Sequence, residues 1–388
     1  MKNAWRILFI LVLTPANLFA QDDNSKFSLG GYITSMQSVM FQDIDKNWIS
    51  DNLVHNRLNA YWYPTENINA SLQLRTRLIF GETLKYTPGY VKNMDRTAGW
   101  LDLSTNIASG DSYVLNTMID RLWFQATTGK LVTTIGRQRI NWGMNLVWNP
   151  NDIFNIYSYF DVDYEERPGS DALRLQVYPN FTSTAEITAK VDSGDNITAA
   201  GLYRFNIWNY DIQVIGGILN SEDVVGGLGF SGNLKGAALR GELSWFRSTK
   251  GFNDTTGYFM SSLGFDYVFQ NSLMIQAEFL FSDLPSSVQG FQEFYAGPLS
   301  VKNLAFTKYS LFGAVSYPIN PLIQGSLAGM YFPKLEGFFA GPSLSYSLND
   351  NTDISLFFQH FSGKLDQAPS DGERQNLSIC YLRLKWNF

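Results

Sequence analysis

The sequence predicts an all-β fold, a transmembrane antiparallel β-barrel of roughly sixteen to eighteen strands with about eighteen favoured. Three observations carry that expectation. Side chains alternate between apolar and polar over runs of about ten residues, short turns alternate with long loops, and nothing after Ala20 is apolar for the ~18 residues that a spanning helix needs. Of 388 residues, 16% are charged and 15% aromatic, with 32 Gly against 13 Pro, where ordinary globular proteins carry about a quarter charged residues. That balance argues against disorder and against nucleic-acid binding. Two His and one Cys leave too few soft ligands for a zinc, haem or iron–sulfur site, so no cofactor is expected.

The chain opens on Lys2 and Arg6, an apolar run from Ile7 to Leu13 and a small residue at Ala20. This is the layout of a cleavable export signal over 1–20, which leaves 21–388 as a single barrel domain. Within it, Ala70, Leu72, Leu74, Leu78 and Phe80 share one face, and Asn69, Ser71, Gln73, Arg75 and Arg77 the other. The pattern recurs where Leu239, Leu243 and Trp245 alternate with Arg240, Glu242 and Ser244, and where Ile275, Ala277 and Phe279 alternate with Gln276 and Glu278. A soluble sandwich also alternates but turns its apolar face inward. Glycines inside the strands (Gly216, Gly226, Gly313), aromatics gathered near strand ends and a terminal Phe388 favour the opposite sense, apolar side outward.

The final strand places Leu382, Leu384, Trp386 and Phe388 at alternate positions against Tyr381, Arg383 and Lys385. It resembles the C-terminal assembly signal of bacterial outer-membrane barrels. What the resemblance implies is a Gram-negative outer-membrane protein that meets the barrel-assembly machinery, the lipid bilayer and lipopolysaccharide. Long loops are expected at 42–52, 81–110, 141–169, 248–256, 283–305 and 362–375, with tight turns between them on the other side.

Two motifs suggest enzymes by letter alone. Gly227-Leu228-Gly229-Phe230-Ser231-Gly232 matches a dinucleotide fingerprint, but no helix or βαβ unit follows, so glycines in a strand are the better account. Gly110-Asp111-Ser112 resembles a lipase nucleophile block, yet neither His55 nor His360 offers a base pattern, and His55 shares a polar face with Arg57 and Asn59. No enzyme is expected.

The charged residues are more informative. Arg57, Arg75, Arg77, Arg121, Arg137, Arg139 and Arg174 cluster early in the barrel, and most of them occupy the polar face. They read either as a solvated wall or as a ladder of guanidinium groups that attracts anions in a narrow passage. The segment 141–169 carries Asp152, Asp161, Asp163, Glu165 and Glu166 against Arg167 alone. Folded inward, these carboxylates would stand opposite the arginines and set a field across the opening; left outside, they form an acidic surface. An extended segment would point Asp161, Asp163 and Glu165 to one side, a weak calcium candidate because a calcium cage needs ~6–8 oxygens.

Around this segment, Gly136-Arg137-Gln138-Arg139-Ile140-Asn141-Trp142-Gly143 and Val147-Trp148-Asn149-Pro150-Asn151-Asp152-Ile153-Phe154-Asn155 resemble the signature of a porin-like group of Gram-negative outer-membrane barrels, related in appearance to alginate-export barrels and uncharacterised porins. The resemblance implies that the loop bearing Trp142, Gly143, Trp148, Asn149 and Pro150 enters the lumen; the plainer reading of the two tryptophans is anchorage at the membrane interface. The expected function is passive diffusion of small hydrophilic solutes, anions among them. The rivals are a dedicated route for a polyanionic saccharide and a secreted, soluble, all-β carbohydrate-binding protein.

Overall fold

The structure, a computed structural model, describes residues 25–253, 256–287, 290, 300–365 and 374–388. The expected export signal lies outside them. In chain order the strands are β1 (Phe27–Phe41), β2 (Ile49–Thr65), β3 (Ile68–Gly81), β4 (Ser104–Gly110), β5 (Tyr113–Thr128), β6 (Leu131–Gln138), β7 (Ser170–Asn180), β8 (Ser183–Val191), β9 (Ile197–Ile207) and β10 (Tyr210–Leu219). There follow β11 (Asp223–Leu234), β12 (Ala237–Ser248), β13 (Tyr258–Val268), β14 (Met274–Ser282), β15 (Tyr309–Asn320), β16 (Ile323–Phe332), β17 (Gly337–Asn349), β18 (Thr352–Lys364) and β19 (Arg374–Asn387).

Each strand pairs antiparallel with its neighbour, and β1 closes the sheet by pairing with both β2 and β19. The terminal Phe388 fastens that seam, exchanging two 2.9 Å backbone hydrogen bonds with Gly31. The closed wall has eighteen staves, an even number. The strand beyond that number is β4, which arises inside the expected loop 81–110. It pairs with the upper half of β5, where β6 has already ended at Gln138, and so completes the wall above β6. Closure pairs the first stave with the last, the condition for a β-sheet to sit in lipid, while the short β4 is laddered to β5 alone.

Burial shows which face is which. Leu72, Ile135, Leu173, Ile187, Leu228, Leu263, Leu327 and Leu384 are exposed, while Arg57, Arg75, Arg121, Glu186, Glu242 and Glu278 are buried. A soluble sandwich would show the reverse, so the apolar half of each strand is the exterior and the soluble carbohydrate-binding alternative falls. Trp62, Tyr63, Tyr178, Trp208 and Trp386 stand exposed near the short-turn end, as an interfacial girdle does. In the last strand Leu382, Leu384, Trp386 and Phe388 all face outward.

The packed core is inside the barrel. Ile140, Trp142, Val147, Trp148, Ile153, Phe154 and Phe160, all from the segment between β6 and β7, cluster with Leu202, Ile215, Val225, Phe312, Phe339 and Phe361 of the inner wall.

Candidate functional site: the infolded loop and the cavity beside it

The β6–β7 segment is too apolar to stay in water, and its irregular backbone cannot satisfy its own N–H groups. Both needs are met by the inner wall. Trp142 donates its indole N–H to Glu186 of β8 at 2.8 Å, and its carbonyl accepts from Gln213 of β10 at 2.8 Å. Glu242 of β12 accepts the backbone N–H groups of Met144, Asn145 and Asn151, the last two at 2.9 and 2.8 Å. Glu278 of β14 accepts those of Leu146, Val147 and Trp148 at 2.8, 2.9 and 3.0 Å. Close approach requires glycine on the wall. A Cβ on Gly227 would lie 2.5 Å from the Asn151 amide oxygen, and one on Gly264 would lie 2.5 Å from that of Asn145. The glycines of the apparent dinucleotide fingerprint therefore sit in a strand, with Gly227 and Gly229 under this loop and Gly232 against Tyr210.

Tyr159 and Phe160 next pass Phe312, Phe339 and Phe361, with the Phe160 carbonyl accepting from Gln359 at 3.2 Å. The chain then crosses to β19, β1, β2 and β3, and the manner of attachment inverts: the loop now supplies the carboxylates. Glu165 lies 2.7 Å from both Arg383 and Lys385. Asp163 pairs with Arg75 and stands 3.0 Å from His55 Nδ1. Since His55 Nε2 accepts from Arg75 at 3.3 Å, the ring proton resides on Nδ1 and is given to Asp163. Tyr32 donates to Glu166 at 3.0 Å, and Arg57 is 3.5 Å from the same carboxylate. Burial alone would raise the Asp163 carboxyl, but the His55 hydrogen bond and the Arg75 charge outweigh it and hold the group well below the usual carboxylate range.

Five of the seven predicted arginines are thus in ion pairs: Arg57 with Asp120 at 2.6 Å, Arg75 with Asp163, Arg121 with Asp120 at 3.0 Å, Arg137 with Asp171 at 2.6 Å and Arg174 with Glu186 at 2.7 Å. Arg77 makes one 3.3 Å hydrogen bond to Asn116, and Arg139 is exposed at the start of the loop. The expected field across an opening is corrected accordingly, because Asp163 and Glu166 reach over and sit on the guanidinium groups directly. Asp152 is elsewhere, buried beneath Trp142 and the residues after it, where burial pushes its carboxyl up to about 7. The calcium expectation is corrected too. The chain turns at 161–166, sending Asp163 to Arg75 and His55 and Glu165 to Arg383 and Lys385, while Asp161 accepts the N–H groups of Asp163 and Tyr164 at 3.0 and 3.2 Å. No group of three metal-ligating side chains occurs among the described residues.

The loop-motif tryptophans are buried inside the barrel, Trp142 at 1% and Trp148 at 6% exposure, so interfacial anchorage is not their role. Gly143 and Asn149 pack on each other: a Cβ on the glycine would lie 2.3 Å from the Asn149 amide oxygen. Pro150 gives its carbonyl to Ser244 at 2.9 Å. Ser112 lies in the β4–β5 turn, His55 is engaged by Asp163 and Arg75, and His360 faces outward beside Ser378.

Sequence reasoning missed Glu186, Glu242 and Glu278 as loop anchors, and Asp120 and Asp171 as arginine partners. Asp120 owes its position to a bulge: Gln73 pairs with Arg121 and Leu74 with Ile119, leaving Asp120 as the extra residue. Two consecutive side chains, Asp120 and Arg121, are buried as a result.

Beside this network is a cavity of about 420 Å³, lined by Arg75, Arg77, Tyr90, Arg96, Arg137 and Tyr164 among others. Its outer wall is the loop 81–110, folded into two short helical turns and β4. Asp120 is the only acidic residue of the lining, against four arginines.

No protein-family model matches the chain, and no curated protein matches it in sequence. Solved structures do resemble it. OccAB2 of Acinetobacter baumannii superposes with a TM-score of 0.58 at 11% identity, over 93% of this chain and 98% of that one. OpdQ of Pseudomonas aeruginosa gives 0.58 at 9% identity over 94% and 99%, and OccK11 (OpdR) of the same organism 0.57 at 9% over 93% and 96%. These are Gram-negative outer-membrane porins and not enzymes. The chain shares their fold, a closed antiparallel β-barrel, as the resemblance read from the Trp-Asn-Pro segment implied.

Proposed function

We propose that the protein is an outer-membrane channel for passive diffusion of small hydrophilic solutes, and that the passage runs through the arginine-lined cavity and favours anions. The observation that carries this reading is the inverted barrel, apolar outside and charged within, whose β6–β7 loop is tied to the inner wall and whose adjoining cavity holds four arginines against one carboxylate. Arg75 and Arg137 of that lining are neutralised by Asp163 and Asp171. The anion preference therefore falls to Arg77 and Arg96. A fixed cation in a confined aqueous path raises the local concentration of anions and opposes cations. Reversal potentials in planar bilayers under a salt gradient test it: Arg77→Gln with Arg96→Gln lowers the anion-to-cation permeability ratio and leaves the barrel heat-modifiable on detergent gels. An unchanged ratio refutes the anion path, and failure of the unaltered protein to conduct refutes the channel.

A further inference from the structure

The outer face of the barrel is not uniform. From Leu173 on β7 round to Leu344 on β17, outward positions of the strands are aliphatic, aromatic, Gly or Pro, with Ser183 at the short-turn end of β8, Arg247 and Ser261 as exceptions. On β1, β2, β3 and β5 the same face carries Ser35, Gln37, Asn52, Asn56, Thr76 and Thr117. Their direction follows from register. Thr34 and His55, which pair, are buried inside, so Ser35 and Asn56 point out; Asn56 pairs with Thr76, which pairs with Thr117.

Three of these, Ser35, Asn56 and Thr76, lie near the middle of their strands, at the depth of the hydrocarbon and away from lipid headgroups. Some find each other: Thr76 and Thr117 hydroxyls are 2.9 Å apart, and Gln37 donates to Ser35 at 3.4 Å. The Asn56 amide has no hydrogen-bond partner among the described residues. A polar group facing hydrocarbon without a partner costs several kcal/mol.

We infer that this polar stripe on β1–β5 is the face through which the barrel associates with a second copy of itself in the membrane. The chemistry selects that occupant. Every member of the stripe is an uncharged amide or hydroxyl that both donates and accepts, so a second identical stripe satisfies it, whereas a charged headgroup would find neither counter-charge nor the right depth. The inference rests on the membrane reading above.

Site-specific crosslinking tests it in purified protein reconstituted into liposomes. With Cys380→Ser removing the native thiol, Asn56→Cys and, on the opposite wall, Leu243→Cys are treated with a short bis-maleimide. Crosslinked oligomer is expected to form roughly tenfold more from the first than from the second. Equal yields, or none from Asn56→Cys, overturn the inference. Independently, Ser35→Leu with Asn56→Leu and Thr76→Leu is expected to weaken self-association in detergent about tenfold by sedimentation, and unchanged association overturns it too; if this variant fails to fold, the crosslinking comparison decides. Crosslinking of Asn56→Cys in native membranes to a different protein instead of to itself likewise overturns it. Heat-modifiable migration is scored in parallel, since a chain that is not a barrel fails there, and that result indicts the membrane reading instead.

Discussion

The two halves of the infolded loop are held by opposite means. In the first half, 142–151, the wall supplies carboxylates and the loop supplies mainly backbone N–H groups: Glu242 and Glu278 each accept three. In the second half, 161–167, the loop supplies carboxylates and the wall supplies guanidinium, ammonium and imidazole groups. The first kind of attachment is directional, buried and blind to the loop's own side chains. The second depends on particular loop residues, lies nearer the arginine cavity, and couples the position of the loop to the charge of the passage. One segment is therefore a fixed wedge over part of its length and an electrostatic element over the rest.

The largest effect should come from Glu242→Ala combined with Glu278→Ala. Each buried amide left without an acceptor costs about 1–3 kcal/mol, so six N–H groups lose their hold at once. The expected outcome is a loop open to limited proteolysis between 142 and 151 and a raised single-channel conductance, with the Glu→Gln versions milder because one acceptor oxygen survives. Wild-type proteolysis and conductance would mean that the hydrophobic seat alone holds the wedge. Smaller, and different in kind, is Asp163→Asn. It leaves Arg75 without its counter-charge, so reversal potentials shift toward anions while conductance changes little; a shift toward cations would break the distinction between the halves.

The smallest effect is a pH dependence of opposite sign in the two halves. The Asp163 carboxyl is lowered in the folded state, so its contribution is present above its ordinary value of 3.8 and is lost only as pH falls through the lowered one. Burial raises Asp152 to about 7 from 3.8, so this residue costs the folded state stability as pH rises across that window, and the full cost is present above it. Asp152→Asn should therefore raise the temperature of the heat-modifiable transition at pH 8 and leave it nearly unchanged at pH 4. An equal change at both values would show that the residue acts through packing.

Particular residues show why the barrel was legible and the loop seat was not. Leu72 and Arg75 announce their faces because a strand's alternation is local and repeats; the same pattern run to Phe388 fixes the closing strand. Glu242 and Glu278 obey that pattern equally well and so look like any polar-face residue. What they bind lies about 90 to 130 residues away in the chain, and one sequence holds no trace of that separation. A signal did exist in the loop: Ile140, Trp142, Val147, Trp148, Ile153 and Phe154 are too apolar for a solvated segment, so their backbone amides had to find acceptors on an inner wall. The pairing of the arginines was hidden for a related reason, since Asp120 lies out of phase until the bulge brings it inward.

That bulge divides β5 into two registers of opposite parity. Above it Leu115, Thr117 and Ile119 look toward lipid, and below it Leu122 and Phe124 do; the odd and even positions exchange roles at one point. Strict alternation carried from Ile119 through Asp120 would turn Leu122 and Phe124 into the water and Arg121 and Trp123 into the hydrocarbon, whereas deleting the single residue Asp120 leaves every other side chain on its present face and removes the carboxylate that Arg57 and Arg121 share. The inserted position is thus a way to seat a carboxylate between two guanidinium groups without turning either end of the strand over.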